Sequence, residues 1–431
     1  MSLPFAILVI VFVVLLALNV PVAFAIGAAT LLAIMAIGDI PAFALEAHRI
    51  ATGIESFTLL AIPFFILSGL IMGQGGIARR LIDLANATVG GFRGGLAQVN
   101  VVTCMMFGAI SGSATAAVSS VGGFMIPAMN ERGYDRDFNA SLTITSATTG
   151  LLIPPSNIMI VYSLATGGAV SVARIFFAGI LPGILTGVAL MITAAIISIR
   201  RNYGQAEGID IREVFIRAIK AVPALLLIII VLGGILGGIF TATEASAVAV
   251  LYAWVLAQFV YKEIRWKDLP GLLLQAGVTT SVVMLLIGTS MAMSWVLAYE
   301  QIPQDLSAYM LTISDNPYVI LLIITAILLA VGTFMDMTPA VLIFTPLLLP
   351  VVTDLGMDPT HFGIVMIMNL CIGICTPPVG TALFLGCGIA KTTVSNVIRP
   401  LLPFFGAMLI VLLLVLYIEQ ISMFLPNLLD L

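Results

Sequence analysis

The stretch Gly150-Leu-Leu-Ile-Pro-Pro-Ser-Asn157 decides how this chain is read, because it returns in altered form as Gly373-Ile-Cys-Thr-Pro-Pro-Val-Gly380. Pro154 and Pro377 stand 223 positions apart, and each proline pair begins four residues after a glycine in an otherwise apolar run. Two consecutive prolines remove two backbone donors and break the helical hydrogen-bond ladder. Hydrocarbon tolerates such a break only where protein or a water-filled cavity satisfies the freed groups. Matched breaks in two halves of one membrane chain point to a binding centre for transport.

The rest of the sequence supports a membrane setting. Of 431 residues 61% are hydrophobic and 9% charged, a balance foreign to soluble globular domains. Apolar runs recur from Leu3 to Ile418, so the lipid bilayer is the solvent for nearly the whole chain and no room is left for a separate soluble domain. The N-terminal apolar run lacks a preceding basic stretch and reads as spans, not as a cleaved leader. Cys104, Cys371, Cys375 and Cys387 lie in apolar surroundings and read as packing residues. They form no metal pattern with the two histidines, His48 and His361. No nucleic-acid partner is expected.

Applied along the chain, the 223-residue offset carries Pro127 onto Pro350 and Gly150 onto Gly373. It divides the protein into repeats of 1–210 and 211–431. Charge then gives their orientation, because cytoplasmic loops collect Lys and Arg. Arg79, Arg80 and Arg93 have no basic counterpart in 302–316; Arg132 and Arg136 have none in 351–362. Arg200 and Arg201 face Met423 and Phe424, and, in the reverse sense, Lys262, Arg265 and Lys267 face the acidic or neutral 39–44. Equivalent loops therefore lie on opposite sides, and the repeats are inverted. Since 79–93 and 128–138 are both basic, the apolar stretch between them must return to the side it entered. Residues 94–127 are read as a re-entrant hairpin with its tip near Ser111 to Thr115, and 318–350 as its counterpart from the other side, with its tip near Gly332 to Pro339. The expectation is an all-α membrane protein. Each half has five spans and one hairpin, and includes a Pro-broken helix, at 139–165 in the first and 361–388 in the second.

Four irregular segments thus fall at membrane depth. Their hydroxyls and freed carbonyls are hard oxygen donors suited to a small cation such as sodium, while half-helix N-termini favour an anionic group. In the first half Ser111, Gly112, Ser113 and Thr115 are paired with Pro154, Pro155, Ser156 and Asn157. In the second half Gly332, Thr333, Asp336 and Thr338 are paired with Thr376, Pro377, Pro378, Gly380 and Thr381. The bland alternative is that these small residues only let helices pack closely. Asp336, the only acidic residue of the second hairpin, either binds a cation, takes up a proton or caps the backbone at the tip. Glu244 in Thr241-Ala-Thr-Glu244 has capping-box spacing and reads as structural. The hydroxyl run Ser141, Thr143, Thr145, Ser146, Thr148 and Thr149 leads into the first break and is read as a polar lining, against the alternative that it bonds back to its own helix.

Enzymatic readings lack their residues. Gly386-Cys-Gly-Ile-Ala-Lys-Thr392 has alanine where a phosphate loop needs glycine, so ATP binding is not expected. An intramembrane hydrolase would need a nucleophile with a base at depth, and none is in place. A stand-alone dicarboxylate or ion exchanger remains as an alternative transporter.

The motifs Gly108-Ala-Ile-Ser-Gly-Ser-Ala114, Leu152-Ile-Pro-Pro-Ser156, Gly238-Ile-Phe-Thr-Ala-Thr-Glu-Ala245 and Ile374-Cys-Thr-Pro-Pro-Val-Gly-Thr-Ala382 occur in this order. With Asn130-Glu-Arg-Gly-Tyr-Asp135 and Ala178-Gly-Ile-Leu-Pro-Gly183, they make the chain resemble the large membrane (M) subunit of a tripartite ATP-independent periplasmic (TRAP) transporter. The resemblance covers essentially the whole chain. It implies an elevator-type transporter of the bacterial inner membrane, with a transport part formed by 94–165 and 318–388 and a scaffold formed by the other spans. It implies partners as well: a small membrane subunit of the Q type, expected as a separate chain, and a periplasmic substrate-binding protein of the P type. The substrate would be an organic acid, of the sialic-acid or C4-dicarboxylate kind. By the same resemblance one sodium ion sits between the first tip and the Pro154-Pro155 break and another between the second tip and Pro377-Pro378. Substrate would lie between them, lined by Ser113, Thr149, Asn157, Asp336 and Thr381.

Overall fold

The computed structural model describes residues 2–38, 41–92, 94–203, 211–314, 316–377 and 380–431. Arg93 and Pro378, both used in the sequence reading, lie outside the described residues. Helix dominates, and no strand occurs among the described residues. The first half opens with α1 (Leu3–Ala17), α2 (Val22–Ile37), α3 (Ala42–Gly53), α4 (Ala61–Gln74) and α5 (Ile77–Val89). The pair α6 (Gly95–Ser111) and α7 (Ala114–Glu131) follows, then α8 (Arg136–Thr149), α9 (Asn157–Ala165) and α10 (Val172–Arg200). The second half contains α11 (Ile211–Leu236), α12 (Ala242–Val255), α13 (Leu269–Tyr299), α14 (Ile302–Ile313), and the pair α15 (Pro317–Phe334) and α16 (Met337–Asp354). It ends with α17 (Pro359–Gly373), α18 (Thr381–Ala390), α19 (Val394–Tyr417) and α20 (Gln420–Leu428).

Helix boundaries repeat with the spacing of the proline pairs. Helices α7 and α16 each have 18 residues and begin 223 positions apart, as do the first residues of α8 and α17. Among the described residues eight helices are long and apolar enough to cross a membrane, α10, α13 and α19 among them. Helices α15 and α16 also qualify: 18 residues at about 1.5 Å each reach about 27 Å, close to the thickness of the hydrocarbon core.

Two aspartates show how the broken helices run. Asp135 caps α8 by accepting from the Phe138 N–H at 2.9 Å, and its carboxylate lies 3.8 Å from Arg201. Asp358, 223 positions later, caps α17 by accepting from the Thr360 N–H at 2.7 Å and pairs with Arg174 at 3.2 Å. Arg174 and Arg201 stand at opposite ends of α10, whose 29 residues measure about 44 Å. Helices α8 and α17 therefore start at opposite ends of the same helix and pass each other antiparallel. Their crossing agrees: Cys371 Sγ approaches the Thr148 carbonyl and Cys375 Sγ the Ile144 carbonyl, each at 3.6 Å. All four cysteines are buried and free.

Packing sorts the helices into two groups. Helices α1, α2, α3, α4, α11, α12 and α13 pack mainly among themselves, while α6 to α9 and α15 to α18 form the other body; the two meet where α13 packs on α16 and α4 on α6 and α9. Helices α5 and α14 touch both groups. Helix α10 packs on α6, α8 and α17, and α19 on α8 and α17. The buried faces of both meet the hairpin side.

Glycine sets the closest contacts inside the hairpin body. A β-carbon built on Gly108 would stand 2.5 Å from Gly150 Cα, and one on Gly332 2.9 Å from Gly373 Cα. In each half the hairpin's first helix thus lies backbone to backbone against the broken helix, just before the break. The Thr241–Glu244 capping box is present at the start of α12. The hydroxyl run of α8 departs from its expectation. Ser141, Thr143, Thr145, Thr148 and Thr149 are fully buried and donate to carbonyls three or four residues back in their own helix. None of the run is among the residues lining the cavity between the hairpin tips, and Ser146 Oγ is buried without a hydrogen-bond partner among the described residues.

Candidate functional site

Both hairpin tips and both breaks open on one cavity of about 470 Å³. In the first tip α6 ends at Gly112, whose φ of +60° is open to glycine at little cost, and Ser113 caps α7 through the Ala116 N–H at 3.3 Å. Ser113 Oγ and Thr115 Oγ1 lie 3.0 Å apart. The break faces this tip closely: a β-carbon on Gly112 would stand 3.2 Å from Asn157 N. On the scaffold side, one on Gly69 of α4 would stand 3.0 Å from the Ser111 carbonyl oxygen.

Of the predicted residues, Ser111, Gly112, Ser113, Thr115, Asn157, Asp336, Thr338 and Thr381 line the cavity. Pro154, Pro155 and Ser156 are buried directly behind Asn157; the Pro154–Pro155 bond is cis. Gly332 packs against Gly373. Thr333 and Thr376 donate to the Ala330 and Ile372 carbonyls at 2.7 and 2.8 Å. Pro377 is half-buried, and Gly380 is buried against the Ile374 and Thr376 carbonyls. Thr149 is buried in α8 with its hydroxyl on the Ser146 carbonyl, away from the cavity. Gln275 and Thr279 of α13 line the cavity and were missed by the sequence reading. Their signal was available: both are polar residues inside a 31-residue apolar helix.

The chemistry of the lining is two-sided. The first residues of α7, α9, α16 and α18, namely Ala114, Asn157, Met337 and Thr381, all contact the cavity. A helix N-terminus carries unsatisfied N–H groups and a partial positive charge of about +0.5. At α9, α16 and α18 no side chain caps these groups. Among the described residues no Lys or Arg lines the cavity, and Asp336 is the one carboxylate. Asp336 stands at the N-terminal end of α16 and accepts from Thr381 Oγ1 at 3.4 Å.

Oxygen donors are distributed unevenly between the two breaks. Ser156 Oγ and Asn157 Oδ1 are buried without a hydrogen-bond partner, so the first break offers two hard oxygens already stripped of water. Near the second break the carbonyls of Ile374 and Thr376 already accept from the Ala382 and Gly380 N–H groups at 3.2 and 3.1 Å. Among the described residues there, Asp336 and Thr338 line the cavity with side-chain oxygens. Among the described residues no three of His, Cys, Asp and Glu gather at a transition-metal site. Beyond the tips, the lining passes along Ser119, Leu385 and Gln275, on helix segments leading to Arg132, Lys391 and Lys267.

Comparison with known proteins agrees with this architecture. The solved YdaH transporter of Alcanivorax borkumensis shares the fold at a TM-score of 0.66 and 13% identity, covering 87% of each chain. MtrF of Neisseria gonorrhoeae does so at 0.63 and 12%, covering 88% of this chain and 85% of its own. In sequence, the chain is 50% identical to the uncharacterized protein YgiK of Salmonella typhimurium over 97% of its length and 96% of that protein's. It is 43% identical to the C4-dicarboxylate TRAP transporter large permease DctM of Pseudomonas aeruginosa, covering 86% and 87%. It is 38% identical to the sialic acid TRAP transporter large permease SiaM of Vibrio cholerae, covering 89% of each. The model of the tripartite ATP-independent periplasmic transporter DctM component matches residues 9–421, and the chain belongs to that family of membrane transporters.

Proposed function

We propose that this protein takes up a carboxylate substrate together with sodium ions, by an elevator movement of the hairpin body against the scaffold group. The observation that carries the reading is the convergence of four helix N-termini on one cavity that holds a single carboxylate and no basic side chain. Backbone N–H groups at those ends suit a carboxylate, and a basic side chain that would hold the substrate permanently is absent from the lining. Ser156, Asn157 and the Ser111–Thr115 tip suit one sodium ion; Asp336, Thr338 and Thr381 suit a second. A cavity of about 470 Å³ admits either a C4-dicarboxylate or a sialic-acid-type sugar acid. Two relatives of comparable identity bear these two substrates in their names, so similarity alone does not choose between them.

The antiparallel course of α8 and α17 and the repeated helix spacing support inverted repeats. Inverted repeats provide two equivalent ways of closing the centre, one toward each side. The lining that leads toward the basic loops supports a centre open to the cytoplasm in this conformation. We assign α10 and α19 to the moving body on their packing. The tripartite, periplasmic character of the family supports a small Q-type subunit and a P-type binding protein as partners, with the chain in the bacterial inner membrane.

Moving two sodium ions with a monovalent acid carries one net positive charge inward, a gain of about 2.3 kcal/mol per 100 mV. Each tenfold sodium gradient adds about 1.4 kcal/mol per ion, so accumulation needs no ATP. The test is uptake into proteoliposomes holding this chain and the small subunit, with the binding protein outside. A sodium gradient should drive accumulation of a dicarboxylate or a sialic acid; uptake indifferent to sodium would sink the coupling.

A further inference from the structure

The basic end of the hairpin body contains a second cavity, of about 420 Å³, remote from the transport centre. Arg200 and Arg201 at the end of α10 and Arg399 near the start of α19 frame it, and Phe138, Ile197 and Pro403 contribute its apolar wall. Three guanidinium groups around one space repel one another unless an anion lies between them. Among the described residues little of that compensation is found. Asp135 reaches Arg201 at 3.8 Å but already accepts from the Phe138 N–H, and Arg201 also donates to Tyr203 Oη at 3.3 Å. Asp137, the next nearest carboxylate in sequence, is engaged by Thr392. Arg136 adds further positive charge at this end, donating to the Lys391 carbonyl at 3.3 Å. Among the described residues neither Arg200 nor Arg399 forms an ion pair.

Guanidinium groups present a planar donor fork that matches phosphate oxygens. Here the fork stands where a 29-residue span leaves the hydrocarbon, and exposed Ile196 and Ile199 carry apolar surface away from it along α10. A soluble phosphate would use the arginines alone; an amphipathic phosphate would use the wall and the isoleucines as well. We propose that this cavity binds the phosphate headgroup of an anionic phospholipid in the leaflet on the side of the basic loops. Phe138, the α10 arginines and Arg399 all belong to the body that packs with the hairpins. The lipid is therefore held by that body and not by the α1–α4 group. Binding does not depend on the transport reading and can be tested apart from it.

The test is native mass spectrometry of the full chain, co-purified with its small subunit, against phosphatidylglycerol and phosphatidylcholine. Wild type should retain phosphatidylglycerol preferentially. The double variant Arg200→Gln/Arg399→Gln should lower phosphatidylglycerol occupancy roughly tenfold and leave phosphatidylcholine unchanged. Excess inorganic phosphate should not displace the lipid. Undiminished phosphatidylglycerol binding by the double variant overturns the site, and displacement by inorganic phosphate reassigns it to a soluble anion and overturns the lipid. If the glutamine variant fails gel filtration, Arg200→Lys/Arg399→Lys keeps the charge and removes the fork. It should lose occupancy severalfold, and full retention would overturn the guanidinium recognition.

Discussion

At Gly150 a single methyl group has no space. Its carbon would lie 2.2 Å from Gly108 Cα, backbone against backbone, where no side chain can yield. Gly150→Ala is expected to destabilise the protein by about 1–3 kcal/mol through overpacking, read as a lowered melting temperature in detergent. Uptake should fall with it, since the first break begins at this residue. Ser156→Ala and Asn157→Ala leave the fold in place but each removes an unpartnered oxygen. Both should raise the sodium concentration for half-maximal uptake by roughly tenfold, about the worth of one good ligand contact. A normal sodium dependence in both variants would remove these residues from the cation site. For Asp336→Asn, loss of uptake at a little-changed melting temperature is the expected pair of results, because the amide keeps an accepting oxygen and removes only the charge. These residues were legible in the sequence because prolines and small polar residues are out of place in hydrocarbon. Thr149 was misplaced for a physical reason. A helical hydroxyl can turn back on its own carbonyls, and nothing in the spacing of Ser and Thr shows which way it turns.

The elements inherit their positions from their ends. Asp135 and Asp358 each cap a broken helix and meet an arginine of α10, so Asp135→Ala and Asp358→Ala should each cost about 1 kcal/mol for the lost cap. The partly exposed ion pairs add at most about 1 kcal/mol more. Thermal unfolding of the two variants should give similar shifts; a loss in one and none in the other would mean that the two ends are not equivalent. Element positions were largely legible: the hairpin tips lie at Gly112 and Asp336, within the tips expected. The packing partners of α10 and α19 were not. Both are apolar on every side in sequence, and only packing distinguishes a face that meets lipid from one that meets α8 or α17.

For the molecule as a whole, the contact between α4 and the hairpin body is where the proposed movement can be tested. A β-carbon at Gly73 would lie 3.6 Å from Ser120 Oγ, so Gly73→Cys with Ser120→Cys offers a disulfide across the two groups. The four native cysteines are buried and should stay out of the reaction. Oxidation should stop uptake and reductant should restore it; full transport by the cross-linked protein would contradict movement at this contact. Helix α10 imposes a different constraint on the whole. Arg174 and Arg201 hold Asp358 and Asp135 at a separation fixed by the number of residues between them, so α10 acts as a gauge rod for the depth of the two breaks. One added or deleted turn would shift one break relative to the other by about 5.4 Å. Insertions can therefore accumulate in the loops of this protein, while the length of this one helix must be kept.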